Sequence, residues 1–476
     1  MLIGREKEQK QLEKLYASDQ SEFVALYGRR RVGKTYLIKE TFQDHFAFRH
    51  TGLQNTPKKI QLKEFAVSLR AAGMRDVPKL KDWYDAFNAL GNLLESLPDG
   101  KKVAFIDELP WMDTPKSNIV SALDHFWNGW ANYRNDIMLI VCGSATSWII
   151  KKIIKNYGGL HNRLTRRIVL PPFTLHECEL YATARNLGYT REQMLETYMV
   201  MGGIPYYWSL LQRELSWAQN IDELFFASEA QLEGEFEALY AALFRHPEPH
   251  IEIVKILGTK KVGMTRSEIV DVLGEDTGGT LSNVLDELEQ CGFIRAYNAI
   301  GKAKKDTIYQ LIDNYTLFYF QFILENKQQD KAFWSRSLLK PMYNSWSGLA
   351  FERVCMQHLP QIKASLGIAG VGVNACSWTY KPKEQEEKGA QIDMLIDRDD
   401  QVIDICEMKF SHDRYTIHKE LDETMRRRRN LFIEKTNTRK AVRIVLVSTY
   451  GLVDNPYAGN VHNVVTMEDL FKDGKV

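Results

Sequence analysis

The eight residues GRRRVGKT (28 to 35) carry the spacing G-x-x-x-x-G-K-[ST] through Gly28, Gly33, Lys34 and Thr35. Glycines at those places let backbone N–H groups turn inward on phosphate oxygens, Lys34 would reach the β- and γ-phosphates, and the Thr35 hydroxyl would ligate Mg²⁺. An apolar run further on, KKVAFIDELPWM (101 to 112), ends in Asp107 and Glu108. Asp107 suits a water-mediated hold on magnesium, and Glu108 suits polarising an attacking water; a merely solvated acidic pair is the plain alternative. A third set lies near the C-terminus: Glu352, Asp393, Glu407 and Lys409. Carboxylates with a lysine beside them are what metal-assisted phosphodiester hydrolysis uses. Glu352, Asp393 and Glu407 would bind Mg²⁺ or Mn²⁺, and the Lys409 ammonium would orient or stabilise the nucleophile.

Each set needs elements to hold it. EFVALYG (22 to 28) is a short β-prone apolar run, and YLIKETF after the loop has helical spacing. That strand-loop-helix order aims the positive end of a helix dipole at the phosphates. MLIVCGSATSW (138 to 148) predicts another buried strand, broken at Gly143 and Ser144. Ser144 would either sense the γ-phosphate or cap the next helix. QIDMLID and VIDICEMKF are strand-like runs separated by the turn signal RDDQ. Side chains alternate along a strand, so Glu407 and Lys409 share one face, Cys406 and Met408 the other, and Asp393 joins the first pair if the hairpin closes. In SGLAFERVCMQHL (347 to 359), Phe351, Val354, Cys355 and Leu359 form one helical stripe with Glu352 beside it. RKAVRIVLVSTYG (439 to 451) predicts a further strand, and RRRRNLF (426 to 432) reads either as a helix along a nucleic-acid backbone or as a solvated helix face.

A chain of 476 residues predicts about three domains. With 62 Lys and Arg against 61 Asp and Glu, the net charge of +1 supplies no global attraction to nucleic acid or acidic membranes. The N-terminus lacks the order of a signal peptide and no stretch approaches a membrane span, which points to a cytoplasmic protein without membrane partners. The cysteines Cys142, Cys178, Cys291, Cys355, Cys376 and Cys406 show no CxxC spacing and read as reduced core residues. Residues 246 to 320 suggest a winged helix, with a capping box at Thr265 and Glu268 and a stripe of Leu281, Val284, Leu285 and Leu288. Asp286, Glu287 and Glu289 on the presumed recognition helix would repel phosphates, which favours a structural coupling role; Lys302, Lys304 and Lys305 in the wing would still meet a backbone. The aromatic run YTLFYFQFILENK (315 to 327) reads as a buried helix.

LIGREKEQKQLEKL, LYGRRRVGKTYLI, AFIDELPWM and IVCGSATSW together resemble the prokaryotic ATPase family first described mainly from archaea, an AAA+ branch related to STAND ATPases. Arg29, Arg30 and Arg31 make the match specific. The resemblance implies ATP as cofactor, Ile3, Gly4 and Arg5 near the adenine, and Ser144 as a first sensor. It also implies that Arg163 acts on the γ-phosphate in cis or as a finger from a neighbouring subunit of a homo-oligomer, with a plain surface arginine as the other reading. GGIPYYW (202 to 208) resembles the GGxP turn of that family, which would bring Gly203 and Pro205 against the base. Helix Glu, strand Asp and E-x-K in this order resemble the PD-(D/E)xK superfamily, although Gln-Ile-Asp replaces the proline-aspartate pair.

The expected architecture is α/β: a P-loop NTPase, AAA+-like core with a parallel sheet (1 to 172), a helical lid (173 to 245), a winged helix (246 to 320) and a restriction-endonuclease-like domain (321 to 476). The expected function is ATP hydrolysis coupled to a metal-dependent, DNA-cutting C-terminal domain. The rival is a nucleotide-operated switch whose C-terminal domain binds a protein or DNA partner without cleaving.

Overall fold

The computed structural model describes every residue except 1, 44, 156–159, 161, 275–277, 301–305, 327–329, 381, 383–388, 475 and 476. The chain divides into two compact units, Met1–Pro172 with Ala238–Pro247, and Phe173–Glu237 with Glu248–Val476. The wing lysines Lys302, Lys304 and Lys305 lie outside the described residues.

In the first unit, five strands pair side by side: β1 (Glu22–Tyr27), β2 (Phe46–Thr51), β3 (Lys102–Asp107), β4 (Ile137–Gly143) and β5 (Arg166–Val169). Every pairing is parallel, in the order β2-β3-β4-β1-β5. Phe23, Val24, Ala25, Leu26, Ala104, Ile106, Leu139 and Ile140 have no solvent exposure. Strands covered on both faces read as continuous apolar runs rather than alternating ones, and each fully buried large side chain contributes about 1.5–3 kcal/mol. The order puts β4 between β1 and β3. The carboxyl ends of these three strands therefore lie in a row, where open α/β sheets hold their ligands.

The second unit contains two sheets. A small one, β6 (Met264–Thr265), β7 (Ile294–Tyr297) and β8 (Ile308–Leu311), is antiparallel in the order β6-β8-β7. The helices Arg266–Leu273 and Gly279–Gln290 accompany it; the capping box at Thr265 and Glu268 forms, and Leu281, Val284, Leu285 and Leu288 are buried. Glu287 meets His250 at 2.9 Å and Glu289 accepts the Ala296 N–H at 3.2 Å, so two of the three acids on that helix have partners within the chain.

The larger sheet runs β13-β12-β11-β10-β9, with β9 (Val373–Tyr380), β10 (Ala390–Arg398) and β11 (Val402–Lys409) antiparallel and β12 (Ala441–Ser448) and β13 (Asn463–Thr466) parallel to β11. Tyr297 of β7 packs into the same apolar cluster as Trp378, Leu395, Ile403 and Phe432 of this sheet and its covering helix Lys419–Thr436.

Two expectations on helices need correction. The stripe ending at Leu359 is broken: the helix Pro341–Gln357 stops before His358, and Leu359 opens a new helix, Leu359–Ser365. Pro360 lacks the N–H that would continue the first helix and suits the first turn of the second. The aromatic run is a helix only to Phe318 and continues as a wider π-type turn, Tyr319–Ile323. Its rings do pack inward, Phe318 and Phe322 lying 5.0 and 5.2 Å from Trp334. All six cysteines are buried and outside any disulfide.

Candidate functional site

The loop after β1 turns where glycine is needed. Gly28 has φ 152°, and a Cβ there would lie 2.3 Å from the Leu170 carbonyl oxygen; Gly33 has φ 90° and precedes the helix Lys34–Phe42. The Lys34 ammonium, almost wholly buried, donates to the carbonyls of Gly28 at 2.9 Å and Arg29 at 2.8 Å. Of the three loop arginines, Arg30 donates to the Ala238 carbonyl at 2.8 Å, Arg31 sits at φ 68°, and Arg29 is buried. Arg5, also buried, donates to the Pro171 carbonyl and so ties the N-terminal segment to the exit of β5.

Thr35 Oγ1 donates to Asp107 Oδ2 at 2.6 Å. Hydroxyl and carboxylate stand side by side as hard oxygen donors, which fits a magnesium ion bound at that place. Glu108 takes the left-handed backbone region at φ 48°, a conformation costing a non-glycine residue about 1–2 kcal/mol. The strain turns its carboxylate toward β4, where Oε2 accepts the Ser144 N–H at 3.2 Å and the Ser144 hydroxyl at 3.0 Å. Burial pushes the Glu108 pKa up, opposed by the Lys34 charge and the Ser144 hydrogen bonds and reinforced by Asp107. Ser144 does not cap the following helix; Ala145 occupies that position, and the serine hydroxyl goes to Glu108. Arg163 is exposed in the short turn after Leu160.

Gly203 and Pro205 belong to the second unit. Gly203 accepts the Phe173 N–H at 2.6 Å, and a Cβ on it would lie 1.9 Å from the Phe173 carbonyl oxygen. Pro205 starts the helix Pro205–Ser209. The second glycine of GGIP thus serves a close backbone crossing at this point.

The carboxylates of the second unit fall into two groups. Asp393 lies where β10 bulges against β9, between Ile392 and Leu395. A bulge re-aims the side chains within it. Asp393 Oδ2 and Glu352 Oε2 both meet the ammonium of Lys261, at 3.2 and 2.7 Å. Burial and the Asp393 charge push the Glu352 pKa up to about 7, against the pull of Lys261. Glu407 lies on β11 with Lys409 at 2.7 Å and Arg428 at 3.0 Å. Burial pulls the Lys409 pKa down, but Glu407 outweighs it and the net shift is upward. Glu352 and Asp393 therefore converge on a cation, whereas Glu407 is held by two others. Among the described residues no three His, Cys, Asp or Glu are grouped to hold a metal.

Three residues escaped the sequence reading. Lys261 carried no local signal. Arg428 was visible only as one member of an arginine run. Gln61, fully buried, brackets Leu53 by accepting its N–H at 3.1 Å and donating to its carbonyl at 2.6 Å, and also donates to the Trp111 carbonyl just past Glu108 at 3.1 Å.

No helix among the described residues is long and apolar enough to cross a membrane. An uncharacterized protein of Methanocaldococcus jannaschii is 26% identical over 368 residues, 76% of this chain and 78% of the relative. Among solved structures, a Walker-type ATPase of Pyrococcus abyssi is 17% identical, with 66% of this chain and 95% of that one covered at a TM-score of 0.49. The ORC2 protein of Aeropyrum pernix, solved in ADPNP–ADP complexes, is 16% identical with coverage of 67% and 92% and a TM-score of 0.41. The family described as an ATPase domain predominantly from Archaea matches residues 2–211. With the loop, Thr35–Asp107 and Glu108–Ser144 aligned at one sheet edge, the chain carries an archaeal-type, nucleotide-binding P-loop ATPase domain.

Proposed function

We propose that the chain hydrolyses ATP in its first unit and uses that cycle to control a metal-dependent, nuclease-like site in its second. The observation that carries the first half is the Glu108–Ser144 pair beside Lys34 and Thr35. A phosphate-binding loop, a hydroxyl–carboxylate pair for Mg²⁺ and a poised general base are the parts that phosphoryl transfer to water requires. Bound Mg²⁺ would neutralise charge on the transferred phosphate. Lys34 would exchange its two carbonyl partners for phosphate oxygens, and Glu108 would take a proton from the attacking water. Arg163 at the γ-phosphate completes the proposed nucleotide site. Arg163 acting between subunits would make the working form a homo-oligomer, and its Ala variant would then lose hydrolysis that mixing with Lys34→Ala subunits restores.

For the second half, Glu352 and Asp393 already gather around one positive charge, and Glu407 and Lys409 share a face of the adjacent strand. A divalent ion there would supply positive charge to a DNA phosphodiester. Lys409 would steady the nucleophile, and the Arg426–Arg429 stretch of the helix beside it would meet the backbone. The test is cleavage of plasmid and single-stranded DNA in Mg²⁺ or Mn²⁺, with and without ATP, comparing the native chain with Glu407→Ala. Metal-dependent nicking lost in the variant supports the reading. Intact ATP hydrolysis with no cleavage under any condition overturns the nuclease half. The second reading, a switch that binds DNA or protein without cutting, is favoured by the ion pairs that engage all four of these side chains.

A further inference from the structure

Lys261 belongs to neither the helix nor the sheet that carries the acids it meets. It sits in the turn between the helix Glu248–Gly258 and β6, about 90 residues before Glu352 and more than 130 before Asp393 in sequence. Its backbone is held by a purpose-shaped seat. The Lys261 carbonyl accepts from Gln310 Nε2 of β8 at 2.6 Å, and the next carbonyl, of Val262, accepts from the Tyr297 hydroxyl of β7 at 2.8 Å. Gly263 follows at φ 84°, where a Cβ would lie 2.3 Å from the Tyr309 carbonyl oxygen, so the turn is pressed against the small sheet. The same Tyr297 hydroxyl lies 2.6 Å from Ser377 Oγ on β9, facing the bulge that contains Asp393. One phenol therefore joins the turn, the small sheet and the strand beside the acid pair.

A divalent ion bound by Glu352 and Asp393 would stand about where the ammonium now stands, because both carboxylates aim an oxygen at that point. The two cations exclude each other sterically and electrostatically. Resting on the nuclease-like reading of this site, we infer that Lys261 is a built-in latch, which occupies the acid pair while the small sheet is seated and must withdraw before the metal can enter. Binding of metal and seating of the turn are then coupled, and anything that lifts the turn opens the site.

The experiment is Mn²⁺ titration of the full chain by calorimetry, without nucleotide, for the native protein, Lys261→Met and Tyr297→Phe, each alone and combined with Asp393→Asn to identify the site. Lys261→Met keeps the stem and removes the charge. Tyr297→Phe keeps Lys261 and loosens its seat. The latch predicts Mn²⁺ binding at the Asp393-sensitive site at least about 10-fold tighter in Lys261→Met, with a smaller tightening in Tyr297→Phe. Equal or weaker binding in both variants, at a site that Asp393→Asn abolishes, overturns the latch and leaves the metal site standing. Absence of any Asp393-sensitive binding in all three proteins overturns both.

Discussion

The carboxylate of Glu108 accepts two hydrogen bonds from a single residue, Ser144, one from its backbone N–H and one from its hydroxyl. The two bonds aim the base and oppose the upward push of burial on its pKa. Glu108→Gln should lower ATP hydrolysis by about 10²–10⁴-fold while nucleotide binding stays nearly unchanged. Ser144→Ala removes one of the bonds that oppose the upward pKa shift, so the acid limb of the kcat–pH profile should move to higher pH. Steady-state hydrolysis across pH, with nucleotide binding measured in parallel, checks both.

Lys34 is buried with its charge shared between two loop carbonyls, which positions it for phosphate. Lys34→Ala should weaken ATP binding by about 10–100-fold, the worth of one charged hydrogen-bonding group. Thr35→Ala should leave binding of nucleotide without metal nearly intact and abolish the gain from added Mg²⁺. Titration of a fluorescent ATP analogue with and without Mg²⁺ distinguishes the two.

Gly203 has no room for a side chain at the Phe173 carbonyl. Gly203→Ala should cost about 1–3 kcal/mol through forced backbone movement. Chemical unfolding in the absence of nucleotide measures it, because a role confined to nucleotide contact would leave that stability unchanged.

His358 is fully buried, with Nε2 accepting the Leu175 N–H at 3.0 Å and Nδ1 2.8 Å from the Val354 carbonyl. Those partners suit the neutral ring. Burial lowers its pKa to about 4, with the Val354 bond opposing. A depressed folded pKa gives stability that is present above the ordinary value of 6.5 and lost as pH falls toward 4. The native chain should therefore lose up to about 3 kcal/mol more than His358→Asn between pH 7 and pH 4. Urea unfolding at the two pH values, compared between native and variant, reads the difference.

Arg428 and Lys409 both pair with Glu407. Arg428→Ala should leave the sheet intact and weaken DNA binding at low salt, with a shallower salt dependence by about one phosphate contact. Salt-dependent binding of a duplex measures it.

Much of the first unit was legible because its signals are local. Consecutive residues carry the glycine-lysine-threonine spacing, and strands covered on both faces announce themselves as apolar runs ending in Asp107, Glu108 and Ser144. The role of Ser144 stayed open, since a strand-end serine can cap or sense, and only the position of β4 between β1 and β3 delivers it to Glu108. In the second unit the alternation of Glu407 and Lys409 was legible from the two-residue repeat of a strand. The break at His358 was missed because the apolar spacing of Leu359 outweighed the proline that follows it.

By itself the sequence determined which side chains alternate, where the phosphate loop turns, and which strands are buried, because these depend on neighbours a few residues apart. Tertiary structure alone decided that Lys261 meets Glu352 and Asp393, and that Arg428 reaches Glu407. Those contacts depend on the bulge in β10 and on the seating of one sheet against another, and no periodicity within a single segment records how two distant segments pack.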